Sequence, residues 1–256
     1  MKINQILDLV KVLKDKEGRK AFSNWKPFSI SSFYMARRIK NLGIPFKTII
    51  DGGANIGQFS RSVAETFPEA RVIAFEPLPD ITEILKKNLS GSPKIKLIFS
   101  ALGSKSGKIT FHRNTHSHSS SVSSLNEKYQ SSSALPFNKD YQKQFPEARN
   151  AGDVEVPLVT LDEVLEKETL EGPVLLKLDL QGFELEALRG GVKTLRKVDF
   201  ILIETVFKPI YEGEALFPEI EDFLRSEGFQ FVQVLDFYKN DQEEIVQIDA
   251  LFQRSK

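Results

Sequence analysis

The stretch TIIDGGANIG, residues 48–57, places an aspartate and three glycines directly after a short apolar run. Glycines after the first strand of an α/β fold let the backbone approach a nucleotide cofactor closely. In a dinucleotide site this turn holds an anionic pyrophosphate, which the carboxylate of Asp51 would repel. The same carboxylate would attract the ammonium and sulfonium groups of S-adenosylmethionine. The dinucleotide pattern G-x-G-x-x-G is also unmet, because Asn55 and Gln58 stand at its second and third glycine positions.

Four apolar runs of the chain end in a carboxylate, at Asp51, Glu76, Asp179 and Glu204. Ligands of parallel α/β sheets bind at the carboxyl ends of the strands, so we expect these side chains to converge on one rim. One acid at such a position is stabilised by the following helix without any ligand, but four together favour a site. Glu76 lies 19 residues after Gly57, a spacing that suits hydrogen bonds to the ribose hydroxyls of either cofactor.

Lys177 precedes Asp179 by two residues in a run of Val and Leu, where an unpaired ammonium would be unfavourable. We expect an ion pair or a substrate contact, although a lysine whose stem packs while its head reaches water would give the same pattern. A site for S-adenosylmethionine would support methyl transfer, which needs a positioned acceptor atom and gains from a base. The predicted catalytic residues are Asp179, Lys177 and Glu204. Asp179 is the preferred base, and Glu204 is an alternative base or an anchor for a substrate hydroxyl.

The chain contains three histidines, His112, His116 and His118. His116 and His118 would share one face of an extended segment, where they could contact substrate, act as a base or join nearby acids around a metal. The surrounding segment is rich in serine and poor in apolar residues, which is typical of solvent-exposed loop histidines. We therefore predict that no metal is required.

Apolar runs alternate with helical patterns along most of the chain, which predicts a mostly parallel sheet with helices on both faces. The tail from residue 229 onward predicts two antiparallel strands joined by a polar turn. Amphipathic helices precede the first strand. We predict a helical extension at residues 1–45 and a main domain at residues 46–256, interrupted by a polar loop at about residues 112–152.

The composition excludes several classes of protein. The 256 residues include no cysteine, so disulfides, thiolate zinc sites and a cysteine nucleophile are absent. The 35 basic residues balance 35 acidic ones, which disfavours nucleic acid and anionic lipid as partners. The N-terminus does not have the pattern of a signal peptide, and no stretch is apolar enough to predict a membrane span. We expect a cytoplasmic protein, and its amphipathic N-terminal helix could pair two copies as a homodimer.

Several segments, in their order and spacing, resemble the FkbM family of S-adenosylmethionine-dependent O-methyltransferases, namely DGGANIGQFS, AFEP, SALGSKSG, TLDEVL, KLDLQGFELEALRGG and ILIE. The resemblance covers about residues 49–252. It implies a class I methyltransferase fold, with a seven-stranded sheet whose last strand is antiparallel, and methylation of hydroxyls on sugars, glycans or natural products. Gln181 stands where many members have Glu, and if that Glu does acid or base work there, the same role does not extend to Gln181.

The predicted cofactor is S-adenosylmethionine, with S-adenosylhomocysteine as its product. The residues predicted to bind it are Asp51, Gly52, Gly53, Ala54, Asn55, Gly57, Glu76, Pro77, Ser100, Ala101 and Asp179. The residues predicted to contact a small-molecule or carbohydrate acceptor are Gln181, His116 and His118. Two other functions fit the sequence: an NAD-type oxidoreductase of Rossmann fold, and a non-catalytic module of the same fold that binds a partner through the N-terminal helices.

Overall fold

A computed structural model gives the fold of residues 3–114, 132–146, 148–240 and 242–255. The helices are α1 (Ile3–Lys14), α2 (Lys16–Asn24), α3 (Ile30–Lys40), α4 (Gln58–Thr66), α5 (Pro79–Leu89), α6 (Lys139–Gln144), α7 (Leu161–Leu165), α8 (Glu184–Arg189), α9 (Val192–Leu195) and α10 (Phe217–Ser226). The strands are β1 (Thr48–Gly52), β2 (Arg71–Phe75), β3 (Ile95–Ile98), β4 (Ala101–Leu102), β5 (Gly107–Asn114), β6 (Asn150–Val159), β7 (Val174–Leu178), β8 (Phe200–Val206), β9 (Phe229–Lys239) and β10 (Ile245–Arg254).

The main sheet has seven strands in the order β3-β2-β1-β7-β8-β10-β9. The first five are parallel, and β10 runs antiparallel to both of its neighbours. This topology confirms the predicted fold class. The strand order reverses between β1 and β7, so the crevice at their carboxyl ends is where a ligand of this fold would bind.

The central strands are apolar because helices cover both faces of the sheet. Every residue of β1 and of β7 is buried. Adjacent residues of a strand point to opposite faces, and Ile49 and Ile50 accordingly belong to two different core clusters. Ile50 packs on the side of Leu188 and Leu224, whereas Ile49 packs on the side of Ile39. The sheet therefore forms the middle layer of three.

Helix α3 is part of the layer that covers the sheet. Its residue Ile39 is fully buried in the core cluster of β1, and its residue Arg38 forms an ion pair with Asp236 of β9 at 2.7 Å. Helices α1 and α2 join α3 through a smaller cluster that includes Val12 and Phe33. The division between an extension and a main domain at residues 45 and 46 stays a prediction.

The segment predicted as a polar loop at about residues 112–152 contains regular structure in its described part. It includes the end of β5, helix α6 and the start of β6. Strands β4, β6 and β5 form a second, three-stranded sheet in that order. Phe111 and Leu158 of this sheet pack against Ile81 of α5, which sets the small sheet against the main domain near the glycine turn.

Of the three histidines, His112 belongs to the described structure. It lies in β5, where its Nδ1 is 2.8 Å from Asp153 Oδ1. His116 and His118 lie outside the described residues. Their predicted contact with the acceptor therefore stays a prediction.

Candidate active site

A cavity of about 360 Å³ opens at the carboxyl ends of the central strands. Many of the residues predicted from the sequence line it, namely Gly53, Ala54, Asn55, Glu76, Pro77, Ser100, Ala101, Lys177, Asp179, Gln181 and Glu204. Asp51, Gly52 and Gly57 are not part of the lining. The strand ends singled out in the sequence thus meet at one place, although Asp51 lies behind the residues that line the cavity.

The glycine turn after β1 is tightly enclosed by its neighbours. Gly53 has a φ of +84°, and a Cβ atom there would lie 1.9 Å from the carbonyl oxygen of Asp179. The N–H groups of Gly53 and Ala54 donate to the carbonyl oxygen of Phe75 at 3.1 and 2.8 Å. Asn55 follows with a φ of 50°, a conformation that asparagine tolerates better than most residues. The turn is therefore fixed by the ends of both β2 and β7, and only glycine fits at position 53.

Glu76 supports the same turn from the end of β2. Its Oε2 accepts the N–H of Asn55 at 2.8 Å, and its Oε1 accepts the N–H of Leu78 at 2.9 Å. Burial raises the pKa of this carboxyl from 4.5 to about 7, although the two backbone N–H groups lower it. Each oxygen keeps a lone pair for a further donor. Glu76 can therefore hold the turn and still accept ligand hydroxyls.

Beneath the cavity, the ammonium of Lys177 lies between two carboxylates. Its Nζ is 3.3 Å from Asp51 Oδ1, 3.3 Å from Asp179 Oδ2 and 3.4 Å from the carbonyl oxygen of Gly53. Asp51 is fully buried, and its Oδ2 accepts a 2.5 Å hydrogen bond from the hydroxyl of Ser60. Burial lowers the pKa of Lys177, but the negative charges of Asp179 and Asp51 outweigh it and raise this pKa above its ordinary value.

The ion pair with Lys177 affects how Asp51 can interact with a cofactor. From the sequence, Asp51 was expected to face the cationic groups of the cofactor. In the structure the ammonium of Lys177 takes that place, and Asp51 Oδ1 has no other hydrogen-bond donor. Asp51 consequently influences the cavity through Lys177, and direct contact with a cofactor stays a prediction.

Gln181 connects the two acids at the ends of β7 and β8. Its Nε2 donates to Asp179 Oδ1 at 2.8 Å and to Glu204 Oε2 at 3.0 Å, while its Oε1 accepts the hydroxyl of Tyr211 at 3.0 Å. Its backbone has a φ of 56°, and its carbonyl oxygen accepts the hydroxyl of Ser133 at 2.6 Å. The strained backbone places the amide where it separates two carboxylates that would otherwise repel each other.

Glu204 and Asp249 face each other across β8 and β10. Burial, followed by the charges of Asp179 and Asp249, raises the pKa of Glu204 well above its ordinary value. Burial, followed by the charge of Asp179, raises the pKa of Asp249 from 3.8 to about 7. Gln247 donates from its Nε2 to Glu204 Oε1. Both acids of this wall therefore lose their protons at a higher pH than exposed acids do.

Several residues of this wall were missed in the sequence. Tyr211 comes from the loop after β8, and Gln247, Asp249 and Asp236 come from the last two strands. Asp249 gave one signal, because it lies between the buried residues Ile248 and Ala250 in an otherwise apolar stretch. The others look like ordinary surface residues until the strand register is known.

Within the described residues, no group of three or more His, Asp or Glu side chains is arranged to hold a metal ion. In the same part of the chain, no helix has the length and apolar character needed to cross a bilayer.

Comparison with known proteins places the chain among methyltransferases. Residues 51–231 match the family model described as the methyltransferase FkbM domain. The chain is 27% identical over 197 residues to the 2-O-methyltransferase NoeI of Sinorhizobium fredii, which covers 77% of this chain and 79% of that protein. It is 28% identical over 155 residues to the hexuronic acid methyltransferase AglP of Haloferax volcanii, which covers 60% of this chain and 54% of that protein. A solved structure of a precorrin-6y C5,15-methyltransferase from Geobacter metallireducens superposes with a TM-score of 0.46 at 12% identity, covering 87% of each chain.

The buried acids around the cavity predict a stability that falls as pH rises. Burial raises the pKa of Glu214 from 4.5 to about 7, and its Oε2 accepts the N–H groups of Ile210 and Tyr211. Between pH 4.5 and about 7 the folded chain holds a proton that the unfolded chain has released. The free energy of unfolding therefore decreases as the pH rises through this range. Glu214→Gln keeps an oxygen for both N–H groups but cannot ionise. We expect the decrease between pH 5 and 8, measured by urea unfolding, to shrink by roughly 1–3 kcal/mol.

The control for this experiment is Glu212→Gln, at an exposed position two residues away. It should leave the pH dependence unchanged. Parallel pH profiles for the wild type and Glu214→Gln would contradict the assignment of a raised pKa to Glu214.

The buried ion pair predicts that Lys177 and Asp51 are energetically coupled. Lys177→Met leaves Asp51 as a buried carboxylate with no cation, and this should cost about 3–5 kcal/mol in the free energy of unfolding. The double variant Lys177→Met/Asp51→Asn removes the fully buried charge as well and leaves only Asp179, which is partly exposed, without its cation, so it should recover much of the loss. Chemical denaturation of the single and double variants measures the difference.

Lys86→Met is the matched control, because the ammonium of Lys86 is half exposed and pairs with Glu83 on the surface. It should change stability by less than about 0.5 kcal/mol. Equal stability of Lys177→Met and the double variant would show that Asp51 does not depend on Lys177.

Proposed function

Because the chain belongs to the FkbM methyltransferase family, we propose that it transfers the methyl group of S-adenosylmethionine to a hydroxyl oxygen of a carbohydrate or small natural product. The names of two relatives, a 2-O-methyltransferase and a hexuronic acid methyltransferase, support an oxygen of a sugar as the acceptor. The observation that carries the proposal is the meeting of a glycine turn, Glu76 and the Lys177–Asp179 pair around one cavity.

The charges of the cavity support S-adenosylmethionine rather than a dinucleotide. Among the described residues that line it, Lys177 is the one Lys or Arg, and Asp51 and Asp179 already neutralise it. A pyrophosphate would find no free cation there, whereas a donor with sulfonium and ammonium groups suits the acids. Gly53 to Asn55 would hold the amino-acid part of the cofactor, Glu76 its ribose hydroxyls, and Ser100 and Ala101 its adenine.

When bound, S-adenosylmethionine supplies a methyl group made electrophilic by its sulfonium. The task of the chain is to hold the acceptor oxygen in line with that methyl and to take its proton. We assign proton removal to Asp179, whose Oδ2 lies beside the ammonium of Lys177 and whose Oδ1 is oriented by Gln181. We assign orientation of the acceptor to Glu204, whose pKa is raised well above its ordinary value, first by burial.

Two other functions remain as alternatives to be tested. An NAD-type oxidoreductase would need the cavity to accept a pyrophosphate. A non-catalytic module would bind S-adenosylmethionine without turnover. The first differs from our proposal in its cofactor, and the second differs in its chemistry, so binding and turnover experiments separate them.

Calorimetric titration tests the cofactor. We expect S-adenosylmethionine and S-adenosylhomocysteine to bind with dissociation constants in the micromolar range, and NAD to give no binding heat, because its pyrophosphate meets carboxylates. Heat with NAD and none with S-adenosylmethionine would reverse the cofactor assignment.

Replacement of Asp179 tests the base. With methyl hexopyranosides as probe acceptors and methyl-labelled S-adenosylmethionine as donor, Asp179→Asn should lower turnover by about 10²- to 10⁴-fold. Binding of S-adenosylhomocysteine should change much less, which separates a chemical role from a binding role. Asp222→Asn, at an exposed position on α10, makes the same chemical change outside the cavity and should turn over like the wild type. Unchanged turnover of Asp179→Asn would remove Asp179 as the base.

A further inference from the structure

Three carboxylates lie in one row across the last three strands of the main sheet. In the strand register Glu204 of β8 pairs with Asp249 of β10, and Asp249 pairs with Asp236 of β9. Like charges directly opposite each other on neighbouring strands are destabilising. All three side chains line the cavity. A row of this kind in an otherwise well-packed sheet is expected at functional positions.

The three acids differ in what compensates their charge. Asp236 has an ion pair with Arg38, and Glu204 accepts hydrogen bonds from the amides of Gln181 and Gln247. The side chain of Asp249 has neither a hydrogen bond nor an ion pair within the described structure. The middle member of the row, with an acid on either side, is therefore the one without a partner.

A second and independent feature of the same cavity is an aromatic wall. Tyr211, Phe137 and Tyr141 form a stack, with ring centroids 5.2 Å apart at 10° for the first pair and 5.7 Å apart at 20° for the second. All three line the cavity. Aromatic faces cover the apolar face of a sugar ring and attract cations. Phe137 and Tyr211 are buried and stack on each other, so the ring of this wall that can meet a guest is the partly exposed Tyr141, which would favour a positive charge on that guest.

We propose that the end of the cavity formed by Glu204, Asp249 and Asp236 selects an acceptor that carries a protonated amine beside its hydroxyls, such as an amino sugar, and rejects acceptors that carry a carboxylate or a phosphate. This inference rests on the proposed function, because it names the substrate class of the same site. It sets this chain apart from a relative whose name specifies a hexuronic acid.

Other sources of positive charge explain the row less well. The ammonium of Lys177 is held by Asp51 of β1 and by Asp179, which directly follows its own strand β7. A metal ion is not favoured, since no three acids or histidines of the described chain are arranged to hold one. An ammonium needs no such fixed geometry, because each carboxylate can accept one of its N–H groups. The guest that fits an unpartnered acid next to two others is a cationic nitrogen.

The test uses three small probes that share a carbon with at least two hydroxymethyl groups, and the charged probes each differ from the neutral one in a single group. They are protonated tris(hydroxymethyl)aminomethane, the neutral 1,1,1-tris(hydroxymethyl)ethane and the anionic 2,2-bis(hydroxymethyl)propionate. Binding of each to the full chain saturated with S-adenosylhomocysteine is followed by NMR titration. We expect the cationic probe to bind at least about tenfold more tightly than the neutral one, because it pairs with a partly buried carboxylate. The anionic probe should bind most weakly.

Two variants test whether Asp249 causes the preference for the cationic probe. Asp249→Asn should abolish the advantage of the cationic probe, whereas Asp222→Asn on the exposed face of α10 should leave it intact. Equal binding of the three probes, tighter binding of the anionic one, or no binding of the cationic probe would overturn the inference. Saturation by S-adenosylhomocysteine is established first, so that failure of the proposed cofactor is recognised separately from failure of the proposed acceptor class.

Discussion

The site depends on one buried ammonium group. Lys177 reaches Asp51 across the pair of strands where the sheet order reverses, and it reaches Asp179 two residues further along its own strand. A charge taken out of water is tolerated only when it is compensated nearby, so these three side chains fix one another. The carboxylates of Asp51 and Asp179 also neutralise the ammonium that lies within reach of the glycine turn. This leaves the cavity acidic as a whole.

Around this centre, hydrogen bonds tie distant parts of the chain to the same few atoms. Gln181 holds the acids of β7 and β8 apart and also accepts the hydroxyl of Tyr211 from the loop that follows β8. Ser133, which follows the serine-rich segment, donates to the carbonyl oxygen of Gln181. One glutamine therefore contacts both acids, the loop after β8 and Ser133, and it connects Tyr211 to the proposed base.

Much of the fold was predictable because the alternation of apolar runs and helical patterns is a local signal. The positions of Glu76, Asp179 and Glu204 followed from the same signal, since Glu76 and Asp179 directly follow β2 and β7 and Glu204 lies near the end of β8. The ion pair of Asp51 with Lys177 could not be placed, because a sequence gives the charge of Asp51 but not the ammonium that lies in front of it. Asp249 could not be placed either, because its neighbours depend on a register set by pairing with β8 and β9.

Because there is no room for a Cβ atom at Gly53, substitutions at this turn cannot reshape the cavity. The backbone of the turn touches the backbone after β7, so the distance between the two halves of the cavity is set by main-chain contact and not by side-chain length. The acceptor wall, in contrast, is built from side chains on the last strands and on loops. Exchange of those side chains can therefore change which molecule is modified while the chemistry at the turn stays the same, which makes the last strands the place to redesign specificity.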